Sequence, residues 1–363
     1  MMSGDVRAWL RFSRLELPPR KAGVLLERFG DAASVLSASR KALLAVDGIN
    51  GRLVERILSP EPQAIEHDLE RVEELGVSIL TIRDPEYPAS LKEIYDPPPI
   101  LYIRGELIES DRFAIAVVGS RRASVYGRTI VQRIAKDLSS RGLTLISGGA
   151  RGIDSSMHRG ALDGGGRTIC VLGCGVDISY PPENKGLFEE ISNAGAVVSE
   201  FPLGTNPEPW RFPVRNRIIS GLSLGVLVCQ APIDSGALIT ARYAGDQGKD
   251  VYALPGNVDD QRNCGCHRLI RDGAVLIESA QDILEELGVP GTEQEKPQLS
   301  LTFSTLSADE RRVVDLLSLE PKHVDQIILE MQLPAPQVSS ILTLLEMKGL
   351  VRRVPGSAYV RAI

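Results

Sequence analysis
A chain of 363 residues, 43% hydrophobic and only 5% aromatic, is long enough for two or three domains with a sizeable core. No apolar run approaches the ~20 residues of a membrane span, and the N-terminus MMSGDVRAWLRFSRLEL has no signal-peptide core, so the chain is expected in the cytoplasm with no membrane partner. Five cysteines make no disulfide framework, and Cys170, Cys174 and Cys229 fall in or beside apolar runs, where they read as small buried hydrophobes.

The net charge of −6 argues at first against a nucleic-acid partner, but its distribution argues the other way. Residues 112–220 carry 14 Lys and Arg against 9 Asp and Glu, a surplus of +5, and the remainder carries a deficit of −11. Binding follows the local field rather than the total, so a basic centre permits an anionic ligand without demanding one.

Residues 5–58 read as short helices with apolar residues at helical spacing. Within them, Leu44–Ile57 loosely resembles a helix–hairpin–helix whose Gly-Ile turn could offer backbone N–H groups to phosphate, although the pattern favours a plain small bundle. Pro60 and Pro62 close this segment, and Gln63–Leu75 reads as a helix ended by Gly76. The expected helical domain, SAM-like or helix–hairpin–helix-like, is therefore 1–75. Val77–Ile82 and Ile100–Ile103 read as strands separated by turn-rich and proline-rich sequence.

From there strands alternate with helices. Strands are expected near 113–118, 143–146, 168–172, 196–199, 224–229, 251–254 and 274–277, with helices near 127–140, 153–162, 183–193, 236–247 and 266–272. Such alternation predicts an α/β domain over 76–287 with a mostly parallel sheet covered on both faces. Ligands in such sheets bind beyond the carboxyl ends of the strands. Residues 288–306 are a polar linker. In 307–363, three helices (308–318, 322–331 and 335–348) and a hairpin around Pro355-Gly356 form a winged-helix pattern. Its third helix offers Gln337, Ser339, Ser340 and Thr343 where a DNA reader usually presents Arg, Lys or Asn, which favours a protein-contact or regulatory role.

The loops at the strand ends carry the chemistry. Leu143–Ala161, LTLISGGARGIDSSMHRGA, runs from a strand through glycines into a helix; this suits either a phosphate cradle or a tight turn without ligand, and it is neither GxGxxG nor GxxxxGK[ST]. Gly119-Ser120-Arg121 offers close backbone approach, a hydroxyl donor and a forked cation suited to a phosphodiester. Lys185 and Phe188, three apart, either pair a cation with a ring, the minimal unit for binding one phosphate and stacking one base, or mark a helix that lies half in the core and half in solvent. The proline-rich stretch Glu200–Ser220 reads as an ordered loop with exposed-prone aromatics. At its end Arg215, Asn216 and Arg217 open the next helix and either bind an anion or pair structurally with Glu200 or Asp154. Asp234–Ala241 is another turn into a helix. Asn263-Cys264-Gly265-Cys266-His267 supplies only three metal ligands and no second cluster, so no metal is expected. Asp154 and His158, at i and i+4, could exchange a proton or simply stabilise their helix.

Taken together, VVGSRRASVYG, LISGGARGIDSSMHRGAL, TICVLGCGVDISYPPENKGLF, SEFPLGTNPEPWRFPVRNRIISGLS, SGALITARYAGDQGKDVYALPG and RLIRDGA resemble, in order across 115–275, the DNA-processing protein A family (DprA, also called Smf). The resemblance implies an extended Rossmann-like domain over 76–287, in a non-enzymatic, homodimeric mediator without cofactor. It would bind single-stranded DNA without base specificity, protect incoming DNA and load the recombinase RecA during natural transformation. By motif, Arg121 would bind phosphate, Lys185 would be the pocket lysine and Phe188 the stacking aromatic, with Gly119 and Ser120 lining the pocket. Arg151, Arg215 and Arg217 complete the expected nucleic-acid-binding set.

Three departures stand out: Gln230 where the family has Glu, Cys266-His267 where it has [Ser/Thr]-Asn, and Met157 for Ala. The competing enzymatic reading is a Rossmann-type nucleotide N-glycosidase, which calls for a PGGxGT-type loop absent here. A further alternative is a transcription factor acting through the winged helix.

Overall fold
The computed structural model describes residues 3–60, 62–288 and 306–361. The chain forms two compact units, 1–123 with 131–283, and 124–130 with 284–363. Most of the expected linker, 289–305, lies outside the described residues.

In the first unit, helices Ser3–Arg14, Pro19–Phe29, Ala32–Ser37, Arg40–Leu44, Gly51–Leu58 and Pro62–Glu74 form a small bundle. Asp31, Ser39 and Asn50 each cap a helix by accepting a backbone N–H. The Gly-Ile turn is used internally: Ile49 is buried and its N–H donates to Val46 O. The bundle does not keep a core of its own. Trp9, Leu10, Leu25 and Val54 share one apolar cluster with Val77, Ile100, Tyr102, Val176 and Leu203 of the sheet region.

Nine strands make one sheet: β1 Ser78–Thr81, β2 Ile100–Gly105, β3 Ala114–Gly119, β4 Thr144–Ser147, β5 Thr168–Val171, β6 Ala196–Ser199, β7 Gly225–Cys229, β8 Asp250–Ala253 and β9 Val275–Leu276, in the order β1-β2-β6-β5-β4-β3-β7-β8-β9. β1–β2 and β2–β6 pair antiparallel, and every other pair is parallel. β3 to β7 are buried almost throughout, as strands covered on both faces must be. The chain winds outward from β3 through β4 and β5 to β6, then returns beside β3 and winds the other way through β7 and β8 to β9. The strand order therefore reverses between β3 and β7, and the loops leaving their carboxyl ends part to open a crevice.

Helix Arg211–Gly221 lies within the stretch expected to be an ordered loop, and it begins four residues before Arg215. Pro213 sits in its first turn, where a missing N–H costs nothing.

The second unit holds helices Ala308–Leu316, Val324–Met331 and Ala335–Met347, strands β10 Lys322–His323, β11 Val351–Val354 and β12 Ala358–Arg361, and a core of Val313, Ile327, Val338, Leu342 and Leu345. The hairpin is extended by β10, which the sequence does not announce. On the third helix the hydroxyls of Ser340 and Thr343 donate to Pro336 O and Ser339 O of their own helix. Among the described residues no helix is long and apolar enough to cross a membrane.

Candidate functional site
The crevice at the β3/β7 switch point is a cleft of about 730 Å³. Gly119 to Arg122 line it from the end of β3. Pro232 and the start of helix Gly236–Asp246 line it from the end of β7, and Phe212, Pro213, Arg215 and Asn216 line it from helix Arg211–Gly221. Four arginines (121, 122, 215 and 262) and one carboxylate, Asp154, face it.

Gly119 is required by packing: a Cβ there would lie 2.0 Å from Cys229 O and 2.6 Å from Ile153 Cγ1. Ser120 is buried and committed, its N–H donating to Gln230 O at 2.9 Å and its Oγ accepting from Arg122 N at 3.1 Å. Gln230 adopts a left-handed conformation (φ 47°), which turns its carbonyl to that bond at the end of β7. The turn so fixed presents Arg121 outward. Its guanidinium lies 5.4 Å from the ring centroid of Phe212, and that ring lies 5.5 Å from Tyr180 at 32°. A cation over one ring of a tilted aromatic pair, with Pro207, Pro209 and Pro213 stiffening the wall, can hold a phosphate and stack a base together.

The glycine-rich turn is not a phosphate cradle. Asp154 Oδ2 accepts the Ala150 N–H at 3.2 Å, filling the place an anion would take. A Cβ on Gly148 would meet the Arg215 guanidinium at 2.5 Å. One on Gly149 (φ +69°) would meet Cys170 Sγ at 2.6 Å and the Phe188 ring at 2.7 Å. These glycines admit side chains of the protein itself.

Arg215 is buried at the floor, donating to Gly148 O at 3.0 Å, to Val171 O and to Asn216 Oδ1 at 3.3 Å. Burial lowers its pKa and raises that of Asp154, while the two charges favour each other. Arg217, two residues on, points elsewhere. It is 1% exposed, donates to Glu200 at 2.6 and 2.7 Å and to Asp96 O at 3.0 Å, and lies 3.3 Å from the Asp96 carboxylate. Of the two readings of these arginines, structural pairing with Glu200 holds for Arg217, and neither arginine opens the helix.

Phe188, expected as the stacking ring, does not line the cleft. It is 1% exposed and packs among Cys170, Leu172, Leu187 and Ile191, with no face left for a base. Lys185 is exposed at the start of helix Lys185–Ala194, and Arg151 is exposed and paired with Glu183; neither lines the cleft. Of the aromatics that do line it, Tyr180 and Phe212, the second carries a sequence signal in Pro-Trp-Arg-Phe-Pro, where rings flanked by proline have little room to retreat into a core.

Asp154 and His158 are not a proton-transfer pair. His158 Nδ1 lies 2.7 Å from Thr168 Oγ1, whose hydroxyl donates to Leu145 O, so Nδ1 carries the proton and buried Nε2 lacks a partner. Burial pushes the His158 pKa down to about 3 from 6.5. The unfolded chain takes up this proton near 6.5 and the fold refuses it, so stability is intact above that pH and falls as pH drops toward 3. His158→Gln is expected to flatten this acid slope in urea midpoints taken at about pH 7 and about pH 4.5, and an unchanged slope would assign the loss to other groups.

In Asn263–His267, Cys264 is exposed, buried Cys266 lies 3.5 Å from Val228 O, and His267 Nε2 lies 3.0 Å from Gly256 O, so the three side chains do not converge. Among the described residues no group of three or more His, Cys, Asp or Glu could hold a metal ion.

The sequence profile of the DNA recombination-mediator protein A family matches residues 78–288, and that of the DprA winged helix domain matches 296–357. Protein Smf of Synechocystis sp. is 35% identical over 400 residues, spanning 99% of this chain and 100% of the relative. DNA processing protein DprA of Streptococcus pneumoniae is 45% identical over 206 residues, spanning 57% of this chain and 73% of the relative. The X-ray structure of S. pneumoniae DprA superposes with a TM-score of 0.66 at 36% identity, covering 76% of this chain and 95% of that one. A Helicobacter pylori DprA structure, described for its single-stranded DNA binding mode, superposes with a TM-score of 0.53 at 30% identity, covering 58% and 95%. With the fold, the winged helix and more than half the chain matched, this protein belongs to the DNA recombination-mediator protein A (DprA) family.

Proposed function
We propose that this protein binds single-stranded DNA along the β3/β7 cleft, without base specificity and without turnover, and that it acts as a recombination mediator. One observation carries the reading: Arg121 stands over Phe212 in a cleft faced by four arginines and one carboxylate. Every base has a ring face to stack and every nucleotide a phosphate, so this pairing is sequence-tolerant. The H. pylori relative, whose structure concerns single-stranded DNA binding, supports the same ligand.

In the cell the role is to protect incoming strands and load RecA during natural transformation, with the chain working as a homodimer. The family description as a recombination mediator supports a role in recombination.

A mobility-shift titration with a ~30-nucleotide strand and its duplex at two salt concentrations tests the reading. The expected result is tight, salt-sensitive and base-independent preference for the single strand. Equal affinity for both forms would contradict it.

A further inference from the structure
Helix Gly236–Asp246 and Arg262 also line the cleft, and they offer groups suited to an anion that the Arg121–Phe212 pair does not use. Helix Gly236–Asp246, eleven residues long, points its N-terminus into the cleft. Ser235 Oγ already accepts from Ala237 N at 3.3 Å and Ser235 O from Leu238 N at 3.0 Å, which leaves the first N–H, that of Gly236, without an acceptor in the helix. The space over Gly236 is open, since a Cβ there would meet nothing within 4 Å. One turn further on, Thr240 is 1% exposed yet lines the cleft, and its hydroxyl has no hydrogen-bond partner among the described residues.

Arg262, on the turn after β8, completes the group. Its Nε is held by both Asp260 oxygens, at 2.8 and 3.0 Å, and Asp260 also accepts the Arg262 N–H at 2.9 Å. That fixes the guanidinium and leaves its two Nη groups for a ligand. Asp154, the carboxylate that faces the cleft, is buried beside the Arg215 charge, and Asp260, which pairs with Arg262, does not line the cleft.

We propose that the Gly236 N–H, the Thr240 hydroxyl and Arg262 form a second phosphate seat, so that the cleft grips a nucleotide between two phosphates. This rests on the single-strand reading above. The ligand chemistry is a nucleotide phosphate ester, which a neighbouring residue of a strand or a free nucleotide could supply.

The test uses the full chain and a fluorescently labelled oligothymidylate of about 12 residues, with thymidine 5′-monophosphate as competitor. Thr240→Val keeps the side chain's shape and is expected to weaken the oligonucleotide about tenfold, the size of one lost charge-assisted hydrogen bond. Arg262→Ala is expected to weaken it similarly and to reduce the salt slope by about 0.7. Both variants should keep the wild-type urea midpoint. Displacement by the monophosphate in the wild type but not in Thr240→Val would mean the seat also takes a free nucleotide, and no displacement would mean it takes strand phosphates alone. Wild-type affinity in both variants, alongside loss in Arg121→Ala, would overturn the second seat and spare the first. If the wild type bound neither oligonucleotide nor monophosphate, both proposals would fall.

Discussion
Replacing Arg217 by methionine is expected to lower stability by about 3 kcal/mol, because it strips the buried cation from two partly buried carboxylates. Glu200 loses a two-point ion pair and Asp96 a neighbouring cation, at positions only partly open to water. The same guanidinium ties the Asp96 carbonyl to helix Arg211–Gly221, so the loss also loosens the element that carries Phe212. Urea unfolding should show a lower midpoint with an unchanged slope. Adding Glu200→Gln should recover part of the loss, since the stranded charge goes with it. An unchanged midpoint together with lost DNA binding would return Arg217 to the ligand site.

The second large effect is on binding. Phe212→Ala is expected to cost about 1–3 kcal/mol of single-strand affinity, the range measured for a stacked base. Arg121→Ala should weaken all sequences alike and reduce the magnitude of the salt slope by about 0.7, one phosphate contact on a single strand. Neither side chain is structural in the way Arg217 is: Arg121 is exposed and takes no carboxylate partner among the described residues, and Phe212 is only half-buried. Phe188→Ala makes the contrasting control. Removing a ring from the Cys170–Ile191 core should cost about 3–5 kcal/mol of stability and leave the affinity of the folded fraction intact. If Phe188→Ala abolished binding at wild-type stability while Phe212→Ala did nothing, the assignments of the two rings would be reversed.

Why the sequence points to Phe188 before Phe212 is a matter of physics. The spacing Lys185–Phe188 places both on one side of a helix, but a helix beside a sheet buries a stripe with that same period, and Phe188 falls in the stripe with Leu187 and Ile191. Spacing alone does not say which face looks at the sheet. The same limit applies to the glycines: a turn that lets a phosphate approach also lets Arg215 or Phe188 approach, and at Gly148 and Gly149 the protein's own side chains came.

What period and composition do report is well placed. The buried parallel strands follow the apolar runs, and the helices between them begin and end within a few residues of expectation. Strand order is different in kind. It depends on which pairs of runs meet across the sheet, and it is the reversal between β3 and β7 that makes Gly119–Arg122 and Pro232–Ala237 neighbours in one cleft. Arg121 is therefore legible from its loop, whereas Arg262 and Thr240 become visible only once the topology has brought their loops to it.

The central claim is that a single strand lies in this cleft against Phe212. The most direct measurement is photo-crosslinking of a strand carrying 5-iodouracil, followed by mapping of the attached peptide. The account predicts attachment to Phe212 or Tyr180, lost in Arg121→Ala. Attachment confined to the helix Lys185–Ala194 or to residues 307–361 would contradict it.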